Sequence, residues 1–256
     1  MNALAGCMYG LLELLGPERC VICAAAVGAA PPAIIAPGGA PGLRWWDAAH
    51  LCGNCQARWR GPPRYGVVVD FDLRTSTVAD AELVRAVGAW KYHGLRGLGR
   101  PLAALLAPVL ATARNCNPDV TLVPIPLHAH RRRERGFDQC RQLAVLAARE
   151  AGLPVLTDIL VRRRATRQQA SCPVEGRARR QNMAAAFAAR PPGAGQCGRL
   201  ILLDDLVTTG ATLAAAGEAL TAAGWEVVSL VAVGQAARLL RADRADRGLT
   251  PEGQRR

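Results

Sequence analysis

The chain has 256 residues, half of them apolar, and a formal net charge of +12. This length fits one α/β domain of about 150 to 200 residues with an appendage. The longest apolar stretches, 102–113 and 227–233, are shorter than the roughly 20 residues that a bilayer requires, which excludes a spanning helix. No basic region precedes the first apolar residues, so no secretory signal is predicted and a cytoplasmic protein is expected.

The positive charge is concentrated in one part of the chain. Lys91 is the only lysine, so 31 of the 32 basic residues are arginine, as is typical of G+C-rich genomes. Residues 131–180 contain thirteen arginines and five acidic residues. This local field favours a polyanion as partner, either a small phosphate ester or a nucleic acid, and charge alone does not separate the two.

Residues 1–65 are predicted to form a separate N-terminal unit that begins with a short amphipathic helix. Two Cys-x-x-Cys pairs follow, Cys20 with Cys23 and Cys52 with Cys55. Four thiolates can hold zinc in a tetrahedral structural site. A redox pair or incidental cysteines are the alternatives, and the five other cysteines are interpreted as packed or tolerated. The stretch between the pairs is rich in Ala, Pro and Gly and is predicted to be a loop.

The pattern from 66 to 240 is that of an α/β domain. Predicted strands lie at 64–70, 120–125, 155–161, 200–204 and 226–233. Predicted helices lie at 80–90, 98–113, 137–151, 179–187 and 211–223. Alternation at this spacing implies a mostly parallel sheet with helices on both faces. The basic C-terminal tail, 241–256, is predicted to be disordered.

The most informative segment is 199–212. Its apolar strand is expected to end at two adjacent carboxylates, Asp204 and Asp205, which suit the hydroxyls of a sugar diol. A hydroxylated turn then leads into a helix whose N-terminus favours an anion, and Gly210 permits close approach of the backbone. A plain capped turn is the alternative, but it does not explain paired acids at the end of a buried strand. A P-loop is excluded, since Gly-Lys-Ser/Thr is absent.

This segment resembles the signature of the type I phosphoribosyltransferases, hydrophobic residues followed by Asp-Asp-x-x-Thr-Thr-Gly-x-Thr. The resemblance implies that Asp204 and Asp205 act as the catalytic pair and hold the ribose 2′- and 3′-hydroxyls of phosphoribosyl pyrophosphate, which binds with Mg²⁺. It also implies a cradle for the 5-phosphate, formed by Val207, Thr208, Thr209, Gly210, Ala211 and Thr212.

A second segment, 123–139, reads Val-Pro-Ile-Pro-Leu-His-Ala-His-Arg-Arg-Arg-Glu-Arg-Gly-Phe-Asp-Gln. It resembles the hallmark of the ComF (competence protein F) family, with Asp138 where asparagine is usual. Residues 87–94 match the family's Lys-Tyr-x-Gly element, and 167–187 match a region that in related enzymes holds a mobile loop. The resemblance implies a type I phosphoribosyltransferase fold with an N-terminal four-cysteine zinc module. It also implies a loop that borders the pyrophosphate, with donors from Leu127, Arg131 and Arg132.

Two functions follow from these patterns. The first is a phosphoribosyltransferase, a glycosyltransferase that closes 162–180 over its ligand and transfers the ribosyl group to an unidentified acceptor. The second is a non-catalytic adaptor in DNA uptake, in which the zinc module and the basic stripe contact single-stranded DNA or a helicase partner. A glutaminase is not supported, because there is no N-terminal cysteine nucleophile. Whether the ribose-phosphate site turns over or only binds is left open by the sequence.

Overall fold

A computed structural model of the chain describes residues 19–25, 27, 51–163, 186–193 and 198–237. The amphipathic helix predicted near the N-terminus, most of the helix predicted at 179–187 and the predicted C-terminal tail lie outside these residues. Phe187, the last residue of the helix predicted at 179–187, begins a strand instead.

The described residues form seven strands and six α-helices. The strands are β1 (Arg64–Val68), β2 (Phe71–Val78), β3 (Thr121–Pro124), β4 (Leu160–Arg162), β5 (Phe187–Ala189), β6 (Arg199–Val207) and β7 (Glu226–Gln235). The helices are α1 (Gly53–Arg58), α2 (Ala81–Tyr92), α3 (Gly99–Cys116), α4 (Ala129–Arg135), α5 (Gln139–Ala151) and α6 (Ala211–Ala222). None of these helices is long and apolar enough to cross a membrane.

Five of the strands form one sheet in the order β1-β2-β7-β6-β3. Strands β2, β7, β6 and β3 run parallel, whereas β1 pairs antiparallel with β2 at one edge. Strands β4 and β5 form a separate antiparallel pair. The mostly parallel sheet predicted from the alternation of strands and helices is therefore confirmed.

Apolar clusters cover both faces of the main sheet, and β6 shows how. Ile201 and Leu203 belong to the cluster shared with α2, α3 and α5, whereas Leu200 and Leu202 belong to the cluster shared with α6. Successive side chains of a strand point to opposite faces, so a strand buried on both faces needs an unbroken apolar run. The α/β class with helices on both faces is confirmed.

The β1–β2 hairpin differs from the prediction, which places one strand at 64–70 and none in β2. Its turn consists of Val69 and Asp70, without the Gly or Asn that is common in two-residue turns. Val69 has a φ of +56°, a left-handed conformation that is rare for a β-branched residue. Because neither glycine nor asparagine marks the turn and a valine takes the left-handed position, local sequence does not predict the reversal of the chain.

Three other boundaries also differ from the prediction. Strand β6 does not end at the acid pair but runs through it to Val207, because it stays paired with β7 there. Residues 155–161 contribute one bridge to the main sheet, Val155 with Leu122, and β4 pairs with β5 instead. A helix, α4, begins where an open loop is expected after β3.

Helix ends agree with the prediction where a capping residue is clear. Asp80 caps α2, and its Oδ1 accepts a hydrogen bond from the N–H of Leu83 at 2.7 Å. Helix α5 ends at Gly152, which has a φ of +65°. These caps satisfy backbone groups that have no partner inside the helix, so their positions can be predicted from local sequence.

Candidate functional site

The end of β6 and the start of α6 form a loop, residues 207–212, which we call the ligand loop. Thr208 and Thr209 are exposed, and Oγ1 of Thr209 accepts a hydrogen bond from the N–H of Ala211 at 3.4 Å. The loop leads directly into a helix of twelve residues. N–H groups of a first turn have no carbonyl partner inside the helix, and together with the helix dipole they favour an anion at this place.

Gly210 is required in the ligand loop both by its backbone and by the available space. Its φ is +74°, and a Cβ at this position would lie 2.3 Å from Cγ1 of Val68 in the β1–β2 hairpin. A side chain would therefore be strained and would also collide with the hairpin. Ala211 and the partly buried Thr212 continue into the first turn of α6.

Asp205 is an internal residue with only 3% of its surface exposed. Its Oδ1 accepts hydrogen bonds from Nζ of Lys91 at 2.6 Å and from the N–H of Leu206 at 2.7 Å. Its Oδ2 accepts a weaker one from Sγ of Cys140 at 3.7 Å. A buried carboxylate is costly unless it is paired and hydrogen-bonded, and here an ammonium, an amide and a thiol satisfy it.

Asp204 is partly exposed and less completely satisfied. Its Oδ1 accepts hydrogen bonds from the N–H of Asp205 at 2.9 Å and from Sγ of Cys140 at 3.4 Å. Among the described residues no hydrogen bond reaches its Oδ2. Burial and the negative charge of Asp205 raise the pKa of Asp204 to about 6, although the positive charge of Lys91 acts in the opposite direction. Asp204 is thus a carboxylate with an open acceptor beside the ligand loop.

Lys91 and Cys140 also belong to the site. The sequence motifs do not show that these two residues lie beside the acid pair. Burial opposes the charge of Lys91, but the carboxylates of Asp205 and Asp204 outweigh it, so the pKa of Lys91 lies above its usual 10.5. Burial and the two acids raise the pKa of Cys140, so its thiol stays protonated and donates. For Lys91 a signal did exist, since it is the single lysine among 31 arginines.

The acid pair and Cys140 also lie at a spacing that would suit a metal ion, with ligand atoms within 4.8 Å of one another. The ammonium of Lys91 already supplies positive charge to this group. In this structure the cluster is an acid pair held by a lysine and a thiol.

Two arginines contribute positive charge near Asp204. The guanidinium of Arg162 lies over the ring of Phe187, 5.4 Å from its centroid. Burial lowers the pKa of Arg162, the charge of Asp204 raises it, and the charge of Arg131 lowers it again. Arg131, which the family resemblance places beside the pyrophosphate, thus acts on the same region as Asp204, whereas Arg132 is exposed on α4.

The segment after β3 is more ordered than an open loop. The N–H of Leu127 donates to Oδ2 of Asp138 at 3.4 Å, so this amide is already engaged. Oδ1 of Asp138 accepts from the N–H of Arg141 at 3.1 Å and so caps α5. Asparagine and aspartate cap helices equally well, which explains why Asp138 can stand where the ComF family usually has asparagine.

The four N-terminal cysteines meet at one point, and the ligand atoms of Cys20, Cys23, Cys52 and Cys55 lie within 4.8 Å of one another. All four are free thiols. Sγ of Cys23 and Sγ of Cys52 are 3.6 Å apart, close to the roughly 3.8 Å between two ligands of a tetrahedral zinc with bonds of about 2.3 Å. Burial raises the pKa of Cys20, but backbone hydrogen bonds from Cys52, Cys23 and Ile22 outweigh it and lower the pKa to about 6. A group of four cysteines that can hold a metal is confirmed.

The four-cysteine group is tied to the α/β domain. Cys20 and Trp59 are buried in the same apolar cluster as α2 and α3. Nε1 of Trp59 donates to both carboxylate oxygens of Asp80, the cap of α2. The same helix carries Lys91 in its last turn, so α2 contacts Trp59 at its start and the acid pair at its end.

A cavity of about 510 Å³ lies beside α3, apart from the acid pair. It is lined by Trp59, Arg60, Gly61, Ser76, Ala104, Leu105 and Pro108. Neither the acids, nor the ligand loop, nor any of the four cysteines lines it. The cavity is therefore not part of the candidate site.

The acid pair in a central parallel strand, followed by a hydroxylated loop and a helix, is the arrangement that the resemblance to type I phosphoribosyltransferases implies.

Solved structures similar to this chain include UMP synthase of Leishmania donovani, with 21% identity over 65% of this chain and 27% of that one and a TM-score of 0.34. Adenine phosphoribosyltransferase of the same organism has 16% identity over 58% of both chains and a TM-score of 0.32. Orotate phosphoribosyltransferase of Aeropyrum pernix has 19% identity over 72% of this chain and 80% of that one and a TM-score of 0.31. At these scores the likeness carries no weight about function.

No family model matches the chain. A curated relative, Competence protein F of Haemophilus influenzae, is 28% identical over 170 residues, which are 64% of this chain and 69% of the relative. The chain is therefore similar to a competence protein F, and the resemblance inferred from its motifs is confirmed.

Proposed function

We propose that Asp204 and the ligand loop bind phosphoribosyl pyrophosphate, or a related ribose phosphate, together with Mg²⁺. One observation carries this proposal: a carboxylate with an open oxygen, Asp204 Oδ2, stands in the strand that leads into an anion-binding helix N-terminus. Ribose 5-phosphate has hydroxyls at one end and a phosphate at the other. Its two ends match these two features.

The charges around the site support a larger anion as well. The exposed hydroxyls of Thr208 and Thr209 would receive the 5-phosphate, and the guanidinium groups of Arg131, Arg132 and Arg162 would face the pyrophosphate. One guanidinium group can bind two phosphate oxygens at once, which fixes the orientation of the ligand and strengthens its binding. Mg²⁺ would enter with the pyrophosphate, whose oxygens it prefers, and would neutralise part of its charge.

Phosphoribosyl transfer is the reaction that fits this arrangement. The bond from the anomeric carbon to the pyrophosphate oxygen breaks, its electron pair leaves with pyrophosphate, and a nucleophile forms the new bond. Positive charge develops on the sugar, where the carboxylate of Asp204 would stabilise it. The nearby arginines would stabilise the charge on the departing pyrophosphate. The acceptor is unidentified.

A thermal-shift titration tests the binding step. Ribose 5-phosphate, and phosphoribosyl pyrophosphate with Mg²⁺, should raise the melting temperature, because a ligand at 100 times its Kd stabilises by about 2.7 kcal/mol. Asp204→Asn should lose the shift, whereas Asp158→Asn, at an exposed carboxylate paired with Arg190, should keep it. Absence of any shift in the unaltered chain would contradict the proposal. Pyrophosphate release with a panel of nucleobases and small amines then tests turnover.

We further propose that the four cysteines hold a structural zinc ion, since four thiolates make a closed tetrahedral site. The purified protein should contain one zinc per chain. Replacing Cys52 and Cys55 together with serine should remove it, whereas Cys116→Ser, at an exposed cysteine outside the group, should not. Protein free of zinc after purification without chelator would refute this assignment.

A second candidate function is that of a non-catalytic adaptor in DNA uptake, favoured by the name of the relative, Competence protein F, and by exposed arginines on α4. Single-stranded DNA should then bind with an affinity that falls steeply between about 50 and 200 mM salt. Replacing Arg132 and Arg133 with glutamate should abolish this binding, whereas Arg85→Glu on α2 should not. An affinity that does not depend on salt or on these arginines would count against the adaptor.

A further inference from the structure

The two acids of the pair have unequal surroundings. Asp205 is buried and both of its carboxylate oxygens are engaged, by Lys91, Leu206 and Cys140. Asp204 is partly exposed, and among the described residues only its Oδ1 is engaged. The carboxylate oxygen available to a new hydrogen-bond donor therefore belongs to Asp204.

Lys91 is the charged partner of Asp205. Its Nζ lies 2.6 Å from Oδ1 of Asp205, and 19% of its side chain is exposed. A buried carboxylate and a buried ammonium depend on each other, because removing either leaves the other charged and unpaired. The last turn of α2 is also a favourable place for a cation, since the helix dipole is negative there.

We propose that Lys91 is a positioning residue that keeps Asp205 as an internal counter-charge, so that Asp204 alone accepts hydrogen bonds from the ligand's hydroxyls. This inference rests on the proposed ribose-phosphate site and assigns different roles to its two acids. The family resemblance, in contrast, implies that both acids contact the diol.

The charge state of Asp204 follows from the same arrangement. The titratable groups that face it are Asp205 in β6, Lys91 in α2, Cys140 in α5 and Arg162 in β4, with Arg131 of α4 acting on Arg162. Among the groups that act on the pKa of Asp204 itself, burial and Asp205 raise it and Lys91 lowers it. Lys91 thus keeps Asp204 ionised to lower pH than burial alone would allow.

The test compares single and double variants in calorimetric titrations with ribose 5-phosphate. Lys91→Met should weaken binding by about tenfold or more, because Asp205 is then free to repel or displace Asp204. Lys91→Arg should restore most of the affinity. Arg85→Met, which removes an exposed charge from the same helix, is the matched control and should bind as the unaltered chain does.

The double variant Lys91→Met/Asp205→Asn discriminates between the two roles of Asp205. If Asp205 is only a counter-charge, removing both partners should recover most of the affinity that Lys91→Met loses. If Asp205 itself binds the hydroxyls, Asp205→Asn and the double variant should both bind far more weakly than the unaltered chain. The second result would overturn the proposal, and it can be measured even if Lys91→Met alone folds poorly.

A pH profile separates positioning from a purely structural role. In Lys91→Met the pH below which ribose 5-phosphate binding is lost should move upward, because Asp204 no longer has the ammonium nearby. The phosphate of the ligand titrates identically with every variant, so the difference belongs to the protein. A profile that does not move would contradict the inference.

Ribose-phosphate binding and the pairing of Lys91 with Asp205 can be tested separately. If the unaltered chain binds no ribose phosphate, the proposed function is wrong. Urea unfolding of the unaltered chain, Lys91→Met, Asp205→Asn and the double variant then still tests the pair. Effects of the two single substitutions that are not additive support the internal counter-charge. Additive effects would show that Lys91 does not hold Asp205.

Discussion

Nε1 of Trp59 donates hydrogen bonds to both carboxylate oxygens of Asp80, at 3.3 and 3.1 Å. Oδ1 of Asp80 also accepts from the N–H of Leu83 and so caps α2. One carboxylate therefore joins the end of α1, the helix that carries Cys55, to the start of α2, whose last turn carries Lys91.

Trp59→Phe should lower the free energy of unfolding by about 1 to 2 kcal/mol, since the ring stays apolar but the hydrogen bonds to Asp80 are lost. Asp80→Asn retains a capping oxygen and should cost less. Urea unfolding of the two single variants and the double variant measures the coupling. Fully additive effects would mean that the indole and the carboxylate do not stabilise each other.

Gly210→Ala should destabilise the fold by roughly 2 kcal/mol and abolish phosphate binding, because the residue has a positive φ and its Cβ would collide with Val68. Adding Val68→Ala should relieve the collision but not the backbone strain, so recovery should be partial. Gly88→Ala, in α2 with open space around it, should instead stabilise by about 0.5 to 1 kcal/mol. Thermal unfolding measures all three, and an unchanged Gly210→Ala variant would contradict the described loop.

Asp204→Asn should stabilise the protein at pH 7.5 by about 3 kcal/mol, because the unaltered chain then contains an ionised carboxylate whose folded pKa is raised. The sign follows from proton uptake. Between the unfolded value of 3.8 and the folded value of about 6 the native state binds more protons, so stability falls as pH rises through this window. The advantage of Asn should disappear near pH 4. Equal stability of the two proteins at pH 7.5 would contradict the raised pKa.

Cys140→Ala should destabilise the protein by about 1 to 3 kcal/mol, since both acids lose a donor and a small cavity opens. Cys140→Ser supplies a hydroxyl donor of similar size and should retain most of the stability. Cys116→Ala, at an exposed position, is the control. Chemical denaturation checks these values, and equal losses for Ala and Ser would show that a hydrogen-bond donor at this position does not stabilise the acids.

Much of the fold is predictable from local sequence. The apolar run of β6, the caps at Asp80 and Gly152 and the alternation of strands and helices each depend on residues close together in the chain. The ligand loop is predictable for the same reason, because an acid pair, hydroxylated residues and a glycine occur within one segment. The hairpin at Val69 escapes prediction because it lacks the usual turn residues.

The surroundings of the acid pair depend instead on contacts between residues that are distant in the chain. Lys91 and Asp205 are 114 positions apart, and Cys140 and Asp204 are 64 apart. Only the packing of α2 and α5 against β6 brings them together. The sequence therefore predicts both acids as equal ligands, whereas the structure shows that one is buried and paired.

The most direct measurement is a calorimetric titration of the unaltered chain and of Asp204→Asn with ribose 5-phosphate at pH 7.5. The unaltered chain should bind one equivalent with a Kd below about 1 mM, which corresponds to roughly 4 kcal/mol. Asp204→Asn should bind at least about tenfold more weakly while remaining folded. No heat of binding from the unaltered chain, or equal affinity in both proteins, would contradict a ribose-phosphate site at Asp204.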